Sequence, residues 1–381
     1  MKIYYLTTSL TSDQFESLLK NVKVSPNPSN QNFHHALITS IAHYELIEVV
    51  TTTPLNSEML NIEEIKENDA YENLVHYHTL GFSNNKKKRK CIVRNLTKYL
   101  EENVNKDDII FVDSMNLTLS HTANKFSKKH NNKVIGVLTD NPKYITGLSK
   151  VISTIMIREM KNFYGYISLT PSLLSLVNGK SKPHMIIEGI YENFNHNNRT
   201  VKNPYIFFAG SLNPKYGICN LIKAFSLLSY PCQLLIAGHG KIENELYQLI
   251  NSDHSIRYLG TLSKKEITSY ESSSLININP RPHISCLDEY SIPSKVIEYA
   301  GSGKPTISGE HARLKEIYGD SIYWCKADSV IEIYNAMSSI LKSPKKAENK
   351  AKKAQKITNK KYGVDVVGKQ IHDFIKNIPH D

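Results

Sequence analysis

Residues 276–307, ININPRPHISCLDEYSIPSKVIEYAGSGKPTI, hold the side chains whose types and spacing best fit chemistry on an anion. A short apolar run at Leu275, Ile276 and Ile278, closed by Pro280, predicts a strand. A helix fits next: Ser291 can cap it with Pro293 among its first residues, and Gly301 and Gly303 stop it, with Pro305 beyond. At about ten residues such a helix needs docking to be stable, and Val296, Ile297 and Ala300 would form its inward face. Its N-terminus presents unpartnered N–H groups and the positive end of the helix dipole to an anion. Ser294 and Lys295 sit at that tip, where a lysine opposes the dipole unless something negative is near. Glu298 stands five residues beyond Pro293, roughly 7–8 Å along the axis. That separation fits a phosphate at the tip and a pair of sugar hydroxyls at the carboxylate. The competing reading is a short linker helix with one solvated glutamate, and spacing alone does not separate the two.

The elements that would hold this helix must be read from the whole chain. With 381 residues, 40% of them hydrophobic and 22% charged, the chain has a soluble composition and room for two domains. No apolar run reaches the ~18 residues of a membrane span, and the opening MKIYYLTTSLTSD reads as a strand rather than a leader. Cys91, Cys219, Cys232, Cys286 and Cys325 are scattered without CxxC spacing. That argues against a metal knuckle or a disulfide frame and fits a reducing cytoplasm. The formal charge of +11 is spread over both halves, but Lys86, Lys87, Lys88, Arg89 and Lys90, followed by Arg94 and Lys98, form one basic run. A solvated loop leading into a helix, an anionic membrane surface at the inner face of the plasma membrane, and nucleic acid compete for it. Nucleic acid is the weakest, because no element combining aromatic and basic residues accompanies the run.

Residues 2–8 read as a first strand with no GxGxxG behind it, so a dinucleotide fingerprint is absent. Residues 26–32 are turn-rich and lead into Phe33, His34 and His35 and a helix through Ala36, Leu37, Ile41 and Ala42. A strand at 45–51, an acidic helical or loose segment at 61–73, a strand at 74–82 and an amphipathic helix at 92–102 follow. The clearest strands of this half are 109–112, ending at Asp113, and 134–138, ending at Thr139, Asp140 and Asn141; others fit at 166–169 and 185–187. Uninterrupted apolar strands alternating with helices predict an α/β domain whose parallel sheet is covered on both faces. Ligands gather at the carboxyl ends of such strands, which marks Asp113, Asp140 and Asn141.

Residues 190–204 turn Asn-rich and predict a linker. A second series begins with a strand at 205–209, a loop from Gly210 and Ser211 through Lys215 and Tyr216 to Gly217, and a helix through Leu221, Ile222, Ala224 and Phe225. A strand at 233–237 ends in Gly238, His239 and Gly240; a helix at 242–250, a strand at 256–259 and a helix at 264–272 lead to the stretch described first. Residues 343–361 predict a Lys- and Ala-rich helix, and 364–377 a final amphipathic one.

At this point the second half resembles the retaining glycosyltransferases of the GT-B fold, group 1, family four type. The resemblance rests on FFAGSLNPKYG-ICNLIKAF, LLIAGHGKIENEL, IRYLGTLSKKEITSYESSSLININP and YSIPSKVIEYAGSGKPTI, in the family's order across about residues 205–310. It implies two Rossmann-like parallel-sheet domains facing a cleft. The first would be an acceptor-binding domain at 1–189, with a linker at 190–204 and a donor-binding domain at 205–363. The helix 364–377 would cross back to pack on the first domain. The family's GxLxxxKG loop places a Lys before its second Gly to hold the donor diphosphate. Here Tyr216 occupies that position, Lys215 lies one residue earlier, and Ser211 replaces the family's Arg after Gly210. Lys215 is thus a displaced candidate, beside backbone N–H groups near Gly210 and Gly217. The second acid of the family's pair matches Glu298, which would accept from the ribose hydroxyls. Tyr290 stands where the first acid is expected, so Asp288 or Glu289 would have to supply it.

The resemblance further implies donor contacts from Gly238, Gly240, Arg281, Ser294 and Lys295, with Glu298, Lys215 and Asp140 as the catalytic candidates. His34, His35 and Asn141 are the candidates on the acceptor side. It implies sugar transfer from a nucleotide-sugar to an acceptor hydroxyl with retention of configuration, without a metal or other cofactor. No DxD motif is present in the chain. The acceptor would be a glycan or a lipid-linked molecule, in a cytoplasmic or peripheral membrane enzyme of bacterial surface polysaccharide synthesis. Two other readings stay open: a nucleotide-sugar 2-epimerase of the same fold, and a non-catalytic binding subunit with a degenerate site.

Overall fold

A computed structural model describes the chain apart from residues 22–27, 55–63, 84–87, 146, 194–202, 241–243, 245–247, 249–252 and 380–381. Two compact units emerge. The first comprises Met1–Ile190, Glu289–Ser291 and Val364–Asp381, and the second Tyr191–Asp288 and Ile292–Gly363. Both are α/β units built on mainly parallel sheets, the fold class that the alternation of apolar strands and helices predicts.

The strands of the first unit are β1 (Ile3–Thr7), β2 (Ile47–Thr51), β3 (Asn68–Glu72), β4 (Val75–Thr79), β5 (Ile109–Asp113), β6 (Lys133–Leu138), β7 (Gly165–Ser168) and β8 (His184–Ile186). They form one sheet in the order β8-β7-β6-β5-β1-β2-β4-β3, parallel except for the antiparallel pair β3 and β4. The first helix, α1 (Ser12–Asn21), follows β1. Successive residues of β1 feed opposite layers, as the period of two requires. Ile3 and Tyr5 pack with Leu37 and Ile41 of α2 (Pro28–Ala42), whereas Tyr4 and Leu6 pack with Leu96 of α3 (Lys88–Asn103) and Leu119 of α4 (Leu117–His130). A further helix, α5 (Lys150–Met160), buries Met156 and Met160 in that second layer.

The second unit contains β9 (Tyr205–Ala209), β10 (Gln233–Ala237), β11 (Ile256–Tyr258), β12 (Ile276–Asn279), β13 (Thr306–Gly309) and β14 (Tyr323–Cys325). All five pairings in the order β11-β10-β9-β12-β13-β14 are parallel. Ile206 and Phe208 face a core shared with α6 (Ile218–Ser226), and Phe207 faces Tyr270 of α7 (Lys264–Ser273). The helix α8 (Ser294–Gly301) buries Val296, Ile297 and Ala300 against Ala354 of α9 (Pro344–Tyr362).

Several local expectations are corrected. Helix α2 begins at Pro28 inside the stretch read as turn-rich, because proline is well placed in a helix's first turn. The segment read as helical or loose at 61–73 contains strands, Glu64–Ile65 and β3; residues 61–63 lie outside the described ones. Two imidazoles hold β3 in place: Asp69 Oδ1 lies 3.0 Å from His76 Nε2 and 2.9 Å from His78 Nδ1, cross-strand pairs that a hydrophobic pattern does not reveal. Tyr191, in the stretch read as linker, is buried in the second unit, and its N–H donates to Tyr362 O at 2.6 Å. The cap position of α8 is held by Pro293, two residues later than expected, and Pro293 makes no side-chain cap hydrogen bond. The helix expected at 242–250 falls almost wholly outside the described residues.

The last helix, α10 (Val364–Lys376), lies on α2 within the first unit. Gly368 makes the approach possible: a Cβ there would stand 2.1 Å from Ser40 O, a backbone atom that cannot swing aside. Gly368→Ala is therefore expected to destabilise the first unit by about 1–3 kcal/mol. Urea unfolding followed by circular dichroism checks this, and a midpoint equal to wild type would contradict the tight contact.

Candidate functional site

In the second sheet the chain leaves β9 towards β10 and β11, then crosses back to β12 on the other side of β9. The loops after β9 and β12 therefore part above the sheet, at the switch point where parallel sheets open a crevice beyond their carboxyl ends. Glycines let these loops touch through their backbones. A Cβ on Gly217 (φ +82°) would meet Pro280 O at 1.9 Å, and one on Gly238 (φ +131°) would meet Gly210 O at 1.9 Å. Gly240 packs against the backbone of Leu212, whose N–H donates to His239 O at 3.0 Å. Ser211 and Lys215 are exposed on the first loop. Asn213 accepts from Lys215 N–H at 3.2 Å, and the Lys215 ammonium lies 4.9 Å from the Tyr216 ring centroid.

Helix α8 is pinned to this edge by Tyr299. Its hydroxyl accepts from Ala209 N–H at 2.9 Å and donates to Ala209 O at 3.2 Å, at the residue that leads into Gly210. One turn earlier lies a group of four charges. Glu298 Oε2 accepts from Lys264 Nζ at 2.6 Å and from Lys295 Nζ at 2.8 Å, and Lys295 Nζ also donates to Glu271 Oε1 at 3.4 Å. Glu298 Oε1 has no hydrogen bond among the described residues, although the side chain is only 12% exposed. Burial alone would raise the Glu298 carboxyl, but the ammonium groups of Lys264 and Lys295 outweigh it and hold the carboxyl well below the usual range. Glu271 is buried more deeply, and burial pushes its carboxyl up to about 7 against the pull of Lys295. Burial would lower the Lys295 ammonium, yet Glu298 and Glu271 raise it. The result is an ionised, oriented carboxylate with one acceptor atom unused among the described residues, near a helix N-terminus whose cap position is a proline.

The loop from Arg281 to Asp288 holds itself. Arg281 Nη2 donates to Asp288 Oδ1 at 2.8 Å, while Asp288 Oδ2 accepts from Ile284 N–H at 3.0 Å and lies 2.7 Å from His283 Nδ1. Arg281 and Asp288, one expected on an anion and the other weighed as the missing acid, thus neutralise each other. Glu289 groups with the first unit, where it accepts from Ser172 Oγ at 3.0 Å.

In the first unit the switch point falls between β1 and β5. His34, from α2, lies there fully buried, with Tyr5 Oη hydrogen-bonded to its Nδ1 and Asp113 Oδ1 3.5 Å from its Nε2. Burial would raise the Asp113 carboxyl, but His34, the Met115 N–H and Asn30 lower it. His35 points elsewhere, with Nε2 3.0 Å from Glu72 Oε2. Asn141 spends its side chain capping a turn, accepting from Lys143 N–H at 3.0 Å, and Asp140 is exposed at the end of β6. Of the basic run, Lys86 and Lys87 lie outside the described residues. Lys88 is drawn over the Phe82 ring at 4.8 Å, and burial lowers its ammonium to about 8.

Sequence reading missed Lys264 and Glu271, which reach Glu298 and Lys295 from a helix that ends before β12 begins. Ser263 caps that helix in a capping box with Glu266, so the element was legible although the role of its lysine was not. Glu271 supplies a test. Its folded-state value of about 7 exceeds the ordinary 4.5, so folding favours the protonated acid, and its stability cost grows as pH rises from 4.5 to about 7. The melting temperature of wild type relative to Glu271→Gln should fall by roughly 3 °C or more between pH 5 and pH 8. A difference independent of pH would mean that the carboxyl stays ionised throughout.

Residues 190–357 match the family model described as glycosyl transferases group 1. No curated protein matches the chain. Similar solved structures include Anabaena HepE in complex with UDP, at 13% identity and a TM-score of 0.66, covering 99% of this chain and 100% of that one. Sucrose-phosphate synthase from Thermosynechococcus elongatus is 13% identical with a TM-score of 0.70, covering 99% of each chain. TarM is 11% identical with a TM-score of 0.66, again covering 99% of each. At these identities the structures speak for the fold. The chain has the GT-B fold, and its residues 190–357 are similar to the group 1 glycosyl transferases.

Proposed function

We propose that this protein transfers a sugar from a nucleotide-sugar, bound by the second unit, to a hydroxyl of a glycan or lipid-linked acceptor. The observation that carries the reading is Glu298: an ionised carboxylate with Oε2 fixed by two lysines and Oε1 open to accept from a sugar hydroxyl. The ribose of the donor fits there, and its diphosphate fits the N–H groups that Pro293 leaves uncapped at the start of α8.

The bond from the sugar's anomeric carbon to the diphosphate breaks with its electron pair going to the leaving oxygen. Negative charge therefore grows on the diphosphate while the sugar becomes oxocarbenium-like. The helix tip, the backbone near Gly210 and Gly217, and the exposed Lys215 stabilise that charge. For this reason the reaction is proposed to run without a metal. The acceptor oxygen bonds to the same face that the diphosphate leaves, so configuration is retained, and its proton passes to the leaving phosphate. The exposed Asp140 is the proposed acceptor-side group, and the buried pair His34 and Asp113, at the switch point of the first sheet, is proposed to act on it electrostatically. Lys295 is assigned to orienting Glu298 rather than to touching the diphosphate.

The HepE complexes with UDP and UDP-glucose make uridine diphosphate sugars the first donors to screen. One of them should bind, and Glu298→Gln should weaken it about 10- to 100-fold by removing a charged acceptor, with the melting curve still cooperative. Titration calorimetry reads the affinity, and NMR of the product reads the anomer. Unchanged affinity in Glu298→Gln would refute the site. Interconversion of donors without transfer would make the protein an epimerase.

A further inference from the structure

Helix α5 carries apolar side chains on both of its sides. Ser153, Met156, Ile157 and Met160, at the spacing of an inward stripe, are buried in the first unit. The opposite side should then be polar, yet Val151 is 69% exposed, Ile155 44% and Ile152 41%. The segment leading into the helix continues the surface with Tyr144 and Ile145, both exposed. Of the thirteen exposed large hydrophobic residues among the described ones, five fall within residues 144–155, so this is a patch and not scatter. Nothing in the core of the first unit calls for these side chains.

The charges around the patch identify what would cover it. Residues 143–161 contain Lys143, Lys150, Arg158 and Lys161, all exposed, against one acid, Glu159. That acid is turned towards α4, where it accepts from Asn124 Nδ2 at 2.8 Å and lies 2.9 Å from His121 Nδ1. A short helix with an exposed β-branched apolar face and a basic rim matches an interface of anionic headgroups over acyl chains. No helix of the described residues is long and apolar enough to cross a membrane, so this contact would lie on the surface.

We propose that α5 with Tyr144 and Ile145 is a membrane-docking surface that inserts Val151, Ile152 and Ile155 into an anionic bilayer while Lys143, Lys150, Arg158 and Lys161 meet the headgroups. The assignment is independent of the donor chemistry. It also moves the membrane contact away from the run at 86–90, where Lys88 is already drawn inward.

The test is co-sedimentation of the full chain with vesicles of phosphatidylcholine alone or mixed with phosphatidylglycerol. Wild type should bind the mixed vesicles and leave the neutral ones. Val151→Asp/Ile155→Asp should lower the bound fraction at least about tenfold, and Lys150→Glu/Arg158→Glu should do the same through charge alone. Both pairs are exposed, so melting temperatures should stay near wild type, and Arg89→Gln/Lys90→Gln should bind as wild type does. Failure of wild type to bind, or equal binding by both α5 variants, overturns the proposal. So does a patch that proves to join two copies: a concentration-dependent dimer lost in Val151→Asp/Ile155→Asp, without vesicle binding.

Discussion

A parallel sheet can be extended only by crossovers, and that constraint places both candidate sites. Each crossover starts at the carboxyl end of a strand, and where the chain reverses its direction across the sheet two neighbouring loops leave to opposite sides. In the second unit that happens at β9 and β12, and in the first at β1 and β5. The chemistry-bearing residues collect at these two places: Gly210 to Gly217 and the tip of α8 in one, His34 and Asp113 in the other. The glycines let the loops around the second site pack closely. Gly217 against Pro280 O and Gly238 against Gly210 O bring three loops into backbone contact that a Cβ at either position would block.

Two carboxylates and two ammonium groups in partial burial are costly to assemble, several kcal/mol per ion before their attraction is counted. Stability gives little reason for such a group in this unit, whose core is already continuous through Ile206, Phe208 and Ile278. The arrangement makes more sense as orientation. Lys264 and Lys295 approach the same oxygen of Glu298, which fixes the plane of the carboxylate and leaves its other oxygen without a partner among the described residues. Glu271 sits behind Lys295 and anchors it, with a carboxyl that burial has brought close to neutral pH.

How much of this could be read from sequence depended on whether the determining contacts were local. Tyr205–Ala209 and Gln233–Ala237 were legible to the residue, because an uninterrupted apolar strand bounded by turn residues has no competing pattern. Glu298 and the helix around it were legible from the glycines and prolines that bound it. The edge strand Asn68–Glu72 was not, since it is polar and depends on pairing with His76 and His78 across the hairpin. Nor was Lys264, 34 residues from the glutamate it binds. Arg281 and Asp288 each looked available for a ligand, and only the folded loop shows that they are committed to each other.

Lys295 shows how a sound local argument can reach the wrong partner. A lysine in the first turn of a helix opposes the dipole, so something negative has to compensate it. An external anion was one answer, but Glu298 one turn later and Glu271 on the neighbouring helix provide that charge from within. The consequence reaches the ligand. With Lys295 already neutralised, attraction for a diphosphate at this tip, as proposed, would have to come from the N–H groups that Pro293 leaves uncapped, the helix dipole and Lys215. The N–H groups are fixed by the helix and act only at hydrogen-bond range, whereas Lys215 is exposed and its charge is screened by salt. In the proposed donor complex, orientation of the diphosphate would therefore rest on the helix, and the salt dependence of its capture on the lysine.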